Sequence, residues 1–192
     1  MKRLLLLMIP LCFSLAGYCQ YAINFLDDGS FDDSIVVINN GQFSLSNNFT
    51  IEAKVKLTGC CDFMAIAHCS RYNPFTDTWP GYWLGINSDL AHFYIGTPND
   101  PSGIWGAEIE SATSLDDGLW HHISATFLGD TMKLYVDGIL ESQTYLVDPQ
   151  SNVNSNLVIG NDPEGYPFYD GDLDDIRVWN KALTSQEIID YK

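Results

Sequence analysis

Alternation of apolar and polar residues constrains this chain most. Trp120-His121-His122-Ile123-Ser124-Ala125, Leu134-Tyr135-Val136-Asp137-Gly138 and Asp174-Asp175-Ile176-Arg177-Val178-Trp179 follow one another in order, with turn residues between them. A period of two belongs to a strand with one face on a core, and an antiparallel sheet leaves its other face wet. Phe49, Ile51, Ala53, Val55 and Leu57 alternate with Thr50, Glu52, Lys54 and Lys56, which predicts a strand with one buried and one solvated face. The stretches from Tyr82 to Ile86 and from Leu90 to Ile95 predict two strands around Asn87-Ser88-Asp89. Ile123, Ala125 and Phe127 share one face, as do Met132, Leu134 and Val136, with Gly129-Asp130 as the turn between them. Asp137-Gly138 predicts a tight hairpin, because a type I′ turn needs positive φ at both central positions. Leu157 with Ile159, and Ile176 with Val178, mark two later strands.

About ten to twelve short strands at this spacing imply an all-β fold, a two-sheet antiparallel sandwich, rather than βαβ units. Thr184-Ser185-Gln186-Glu187 ahead of Ile188-Ile189 is a capping box, and it predicts a short C-terminal helix closing one edge of the sandwich. No linker, low-complexity tract or internal repeat interrupts the pattern.

The amino end departs from it. Met1-Lys2-Arg3 precedes a leucine-rich run to about Leu15, then Ala16-Gly17 and Tyr18-Cys19-Gln20. That order is expected of a secretory signal peptide over residues 1–19. The apolar run falls short of the about 20 residues that span a bilayer. Lipidation at Cys19 is the alternative, disfavoured by bulky Tyr18 immediately before it. No later segment is apolar enough to insert into a membrane. The expectation is a secreted or cell-surface domain over residues 20–192.

Removing residues 1–19 leaves 173 of 192 residues, enough for one domain with a sizeable core. Losing Lys2 and Arg3 takes the net charge from −16 to −18. So acidic a chain repels phosphate backbones, which excludes nucleic acid as a partner class, and it disfavours anionic membranes. Cys60, Cys61 and Cys69 remain. In an oxidising compartment, Cys69 is expected to bridge Cys60 or Cys61 around Asp62-Phe63-Met64. A zinc site with His68 is the alternative, but adjacent Cys60 and Cys61 do not easily point at one tetrahedral centre.

The motifs in their order resemble the laminin-G-like jelly-roll family of the concanavalin A-like lectin and glucanase superfamily. The likeness runs from about Tyr21 to Tyr191. It includes Ala22-Ile23-Asn24-Phe25 with Asp28-Gly29, and Asn48-Phe49-Thr50-Ile51-Glu52-Ala53. The Trp-His-His segment, the Tyr-Val-Asp-Gly hairpin, Asp174-Asp175-Ile176-Arg177, Asn180-Lys181-Ala182-Leu183 and Glu187-Ile188 follow. One departure is Lys54, where the family commonly has Trp. The resemblance implies a concanavalin A-like sandwich acting outside the cell as a recognition module.

The superfamily also contains glucanases that use paired carboxylates on one strand. Glu108-Ile109-Glu110 alternates correctly but continues Ser111-Ala112-Thr113 with no third acid, and Asp170, Asp172 and Asp174 lie in a Gly-containing turn. Neither Gly-x-Ser-x-Gly nor His-Glu-x-x-His occurs. The expectation is therefore not an enzyme, with a glycoside hydrolase as the lesser alternative. Consecutive His121 and His122 face opposite sides of a strand and do not share a metal.

Asp170-Gly171-Asp172-Leu173-Asp174-Asp175 is dense in carboxylates, yet Lys181 stands where an EF-hand needs its Glu. Asp174 shares parity with Ile176 and Val178 and is expected to face the core, where a carboxylate needs a cation, a salt bridge or several donors. If the first and last strands adjoin, Asp27, Asp28 and the Gly29 carbonyl approach Asp174. Such hard oxygens suit a structural Ca²⁺, which many jelly-roll relatives carry between their terminal strands; pairing with Arg177 is the alternative. Two aromatic loops, Arg71–Tyr82 and Tyr166–Tyr169, suit sugar stacking, with Tyr72, Trp79 and Tyr169 as the candidate ligand-binding rings. The partner expected is a glycan or an extracellular protein; rings that merely cover the ends of the sandwich are the competing reading.

Overall fold

The computed structural model describes residues 22–25, 34–59, 63–71, 73, 79–97, 106–149, 151–161 and 169–192. Two six-stranded antiparallel sheets face each other. The first holds β1 (Ile23–Phe25), β12 (Gly171–Trp179), β3 (Asn48–Leu57), β8 (His121–Leu128), β9 (Thr131–Val136) and β10 (Ile139–Tyr145), in that spatial order. The second holds β2 (Ile35–Val37), β11 (Leu157–Ile159), β4 (Met64–Ser70), β5 (Gly81–Asn87), β6 (Leu90–Gly96) and β7 (Gly106–Ser114). The predicted sandwich and its hairpins are present. Asp137 and Gly138 turn at φ 51° and 81°, the left-handed values the hairpin demands. Ser88 and Asp89, at φ 47° and 72°, make an equivalent turn between β5 and β6.

The interior comes from alternate side chains of both sheets. Phe49 of the first sheet lies 4.9 Å from Tyr82 and 6.3 Å from Phe93 of the second, ring centre to ring centre, and 5.8 Å from Phe127 beside it. All four rings are fully buried. Each such contact adds about 0.5–1.5 kcal/mol beyond the area it buries.

Three expectations need correction. The outer face of β3 is not wet at its start: Thr50 and Glu52 are fully buried. They lie under α1 (Ser185–Tyr191), which does not close an edge but sits on the outer face of the first sheet, where Leu183 and Ile188 pack with Tyr135 and Trp179. Thr50 is pinned to the segment entering α1, its Oγ1 donating to the Lys181 carbonyl and accepting from Leu183 N–H, both at 2.8 Å. The capping box on Thr184 and Glu187 is formed as predicted.

The third correction is Asp174. β12 carries a bulge between Asp174 and Arg177, with Asp175 at φ 49°. The extra residue reverses the alternation. Leu173 pairs with Val55 and Val178 with Ile51, all toward the core, whereas Asp174 pairs with Lys54 on the outer face. Asp174 is thus half-buried beside a cation rather than in the core.

Candidate functional site

The outer face of the second sheet gathers functional chemistry. Register sets His68, Trp83, Tyr94 and Glu108 side by side across β4, β5, β6 and β7. The next row is Gly85, His92 and Glu110. Residues paired across neighbouring strands project to one side, so two aromatic rings, two imidazoles and two carboxylates share one surface.

Glycines let the rings lie on that surface. A Cβ at Gly85 would fall 2.4 Å from the Trp83 ring, and one at Gly106 would fall 2.4 Å from the Tyr94 ring. Each ring therefore covers a strand position that has no side chain. Tyr94 is half-buried, and its hydroxyl donates to the Trp79 carbonyl at 3.0 Å. Burial first, and Glu108 beside it second, raise the Tyr94 pKa, so the phenol stays a neutral donor. Trp83 is 8% exposed and meets His92 edge to face at 5.0 Å, while exposed Phe63 approaches the same imidazole at 6.1 Å.

The carboxylates stand at the open end of these rows. Both Glu108 and Glu110 are exposed. Glu108 Oε2 lies 3.1 Å from His92 Nε2, and Asn87 Nδ2 donates to Glu110 Oε1 at 2.7 Å. His92 is 3% exposed and its Nδ1 has no partner among the described residues. Burial lowers the His92 pKa, opposed by Glu108 and then Glu110, so its imidazole is held neutral at pH 7. With Nε2–H turned to Glu108, Nδ1 is a vacant acceptor. At the other end His68 is satisfied, with Nδ1 at 2.9 Å from Ser70 Oγ and Nε2 at 3.2 Å from the Asn161 carbonyl.

Glu108 and Glu110 do share one face, as catalytic carboxylates must. Each is engaged by its own neighbour, Glu108 by His92 and Glu110 by Asn87.

The sequence-predicted residues fall elsewhere or partly here. Trp79 is half-buried and reaches the face through its carbonyl on Tyr94. Tyr169 is not a binding ring. It is fully buried, packs edge to face on Phe25 at 6.2 Å and donates to the Asp172 carbonyl at 3.2 Å. Its pKa is raised, chiefly by burial. Tyr72 lies outside the described residues, as do Asp27, Asp28, Gly29, Cys60 and Cys61.

The first and last strands do adjoin, with Ile23 opposite Leu173 and Phe25 opposite Gly171. In that register Phe25, the last described residue of this strand, is opposite Gly171 rather than Asp174. Asp174 Oδ1 accepts from Asp175 N–H at 2.7 Å and stands opposite Lys54, a poor setting for a calcium ligand. Among the described residues no three His, Cys, Asp or Glu side chains come together as a metal set. Cys69 faces the core and His68 the outer side of the same strand, which rules out a zinc site shared by that pair. The expected bridge from Cys69 to Cys60 or Cys61 is not formed: Cys69 is a free, buried thiol that donates to the Ser155 carbonyl at 3.2 Å, and burial lifts its pKa to about 11.

A second polar cluster lies under α1. Glu52 Oε1 accepts from Arg177 at 3.1 Å and from Trp179 Nε1–H at 3.0 Å. His122 Nε2 is 3.3 Å from Glu52 Oε2, within ion-pair reach but off the hydrogen-bond line. Burial works to raise the Glu52 pKa, but His122, Trp179 and Arg177 together hold it below the usual range. His121, on the opposite side of β8, bonds Asp137 at 2.8 Å and Asp117 at 3.1 Å. The two histidines are thus in separate structural roles, as their alternation predicts.

A family model described as the concanavalin A-like lectin/glucanases superfamily matches residues 28–189. No curated protein matches the sequence. Among solved structures, the fold is similar to the CBM40 of the Ruminococcus gnavus IT-sialidase bound to α2,3-sialyllactose. That match has TM-score 0.67 and 12% identity, covering 89% of this chain and 96% of that one. It is also similar to domain 4 of AbnA, an extracellular GH43 arabinanase of Geobacillus stearothermophilus in complex with arabinotriose, with TM-score 0.57 and 15% identity over 77% of this chain and 67% of that one. A putative carbohydrate-binding protein of Bacteroides ovatus gives TM-score 0.59 at 18% identity, over 83% of this chain but only 44% of its own length. At these identities the likeness is one of fold.

Proposed function

The chain belongs to the concanavalin A-like lectin/glucanases superfamily, and from that premise we propose that it is an exported, non-catalytic module that binds carbohydrate on the outer face of its second sheet. The observation that carries the reading is half-buried Tyr94, laid over Gly106 next to buried Trp83, beside the exposed carboxylates of Glu108 and Glu110 and beside Asn87. Ring faces stack on the apolar faces of sugars, and acceptors at the edge fix hydroxyls. The neighbours in fold that hold sialyllactose and arabinotriose support the ligand class.

A glycan array probed with residues 20–192 tests this. Specific saccharide signals are expected, abolished by Tyr94→Ala while the melting temperature of the variant stays within a few degrees. An array without signal, or signals indifferent to Tyr94→Ala, rejects the site. Release of reducing sugar from the bound glycan, lost in Glu110→Gln, would replace binding by hydrolysis.

Export through residues 1–19 is part of the same proposal. So is a structural calcium ion, carried by Asp27, Asp28 and the Gly29 carbonyl, with Asp174 dropped from the set. Hard, acidic oxygens of this kind suit Ca²⁺. Calcium is expected to raise the melting temperature relative to chelator, and identical melts reject the ion.

A further inference from the structure

We infer that this face selects neutral and amino-bearing saccharides and excludes acidic ones such as sialylated or sulfated glycans. The inference rests on the carbohydrate-binding reading above and names the ligand class that the site takes.

Charge is divided unevenly between the sheets. The six strands of the second sheet contain no Lys or Arg. Across residues 58–120 the single basic residue is Arg71, against Asp62, Asp77, Asp89, Asp100, Glu108, Glu110, Asp116 and Asp117. The first sheet holds the cations instead, with Lys54 and Lys56 on β3, Lys133 on β9 and Arg177 on β12.

Hydrogen-bond polarity points the same way. Glu108 and Glu110 offer carboxylate oxygens, and both are exposed at the end of the aromatic rows. The buried imidazole of His92, in the angle between the Trp83 and Phe63 rings, adds a third acceptor at Nδ1 that has no partner among the described residues. A buried acceptor left without a donor is costly. Sugar hydroxyls and ammonium groups supply donors, directly or through a water. A sugar carboxylate or sulfate supplies only more acceptors and meets like charge. Recognition of those anions is the work of Arg and Lys, and the strands here provide neither. Repulsion by Glu108 and Glu110 is thus a specificity element as well as a binding one.

Matched saccharide pairs test the inference on residues 20–192 at physiological salt. Lactose is compared with sialyllactose, and chitotriose with its fully deacetylated form, by titration calorimetry. Where a pair binds, the acidic member is expected to be weaker by about tenfold or more, and the free-amine member to equal or exceed its acetylated partner. The variant Glu108→Gln/Glu110→Gln, altered only at exposed positions, is expected to narrow the ratio of neutral to acidic affinity at least threefold, with neutral binding itself weakened by the loss of two carboxylate acceptors. Equal or tighter binding of sialyllactose, or a penalty unchanged in the double variant, overturns the selectivity while leaving carbohydrate binding intact. Failure of every saccharide to bind, on these pairs and on the array, removes the carbohydrate reading itself.

Discussion

Glu52 shows how one position can look solvated in sequence and be buried in the fold. It alternates with Ile51 and Ala53 as a wet-face residue should, yet it is fully buried among Arg177, Trp179 and His122. An isolated carboxylate could not remain charged there. The Arg177 guanidinium and the Trp179 indole N–H make it tolerable. Removing it by Glu52→Ala leaves buried His122 without its anion and Arg177 with Asp175 alone. Loss of one partner of a buried pair costs about 3–5 kcal/mol, and Arg177, still 30% exposed, can turn toward water, which sets the expectation near about 3 kcal/mol. Urea denaturation measures it; a loss under about 1 kcal/mol would mean that the cluster contributes little. Because its pKa is lowered in the folded state, the Glu52 contribution is present above the ordinary carboxylate value and drains away as pH falls through the lowered one. His121 has the opposite sign. Burial pulls its pKa down, but Asp137 and Asp117 outweigh that and raise it above 6.5. Its contribution is complete below 6.5 and is lost as pH rises through the raised value. The stability difference between wild type and His121→Asn is therefore expected to be largest near about pH 6 and to shrink toward about pH 8.5. A difference that grows over that interval contradicts the pairing.

Elements were more legible than their surroundings. Strong alternation marked β3, β5, β6, β8 and β9, and Asp137-Gly138 announced its hairpin, because these signals are local and backbone geometry enforces them. The bulge in β12 was not legible. Asp174, Ile176 and Val178 keep perfect spacing in sequence, and only pairing with Lys54 and Glu52 reveals that Asp175 is surplus. The helix was visible through its cap but not its destination, since Ile188 alone does not say whether it meets an edge or a face. At this scale the cap itself is testable. Thr184 Oγ1 accepts from Glu187 N–H and the Glu187 carboxylate returns to Thr184 N–H. Thr184→Ala is expected to cost about 1 kcal/mol. It should also loosen the stack of Tyr191 on Trp179, seen at 5.1 Å, as a shift in tryptophan emission. A variant as stable as wild type, with unchanged emission, would show that packing rather than the cap holds α1 down.

For the whole molecule, two sheets share a core and divide the remaining work. The outer face of the first is roofed by α1 and carries cations. That of the second is paved with Trp83, Tyr94 and His92 and bordered by Glu108 and Glu110. Sequence marked the stretches 82–86 and 90–95 as strands without assigning Trp83, Tyr94 or His92 to a face, and only cross-strand register aligns them with Glu108 and Glu110. The loop residues that appeared richest in binding chemistry were a weaker guide: Tyr169 proved to be core, because a ring at the start of β12 fills the end of the sandwich beside Phe25. What a loop aromatic does depends on which sheet end it meets, and that is a property of topology rather than composition. The most direct test is hydrogen exchange with and without a saturating neutral oligosaccharide drawn from the array. Slowed exchange is expected across β5, β6 and β7, with β8, β9 and β10 unaffected. Protection confined to the first sheet or to the hairpin at Asp137, with β5 to β7 unchanged, would contradict the assignment of the second sheet as the binding face.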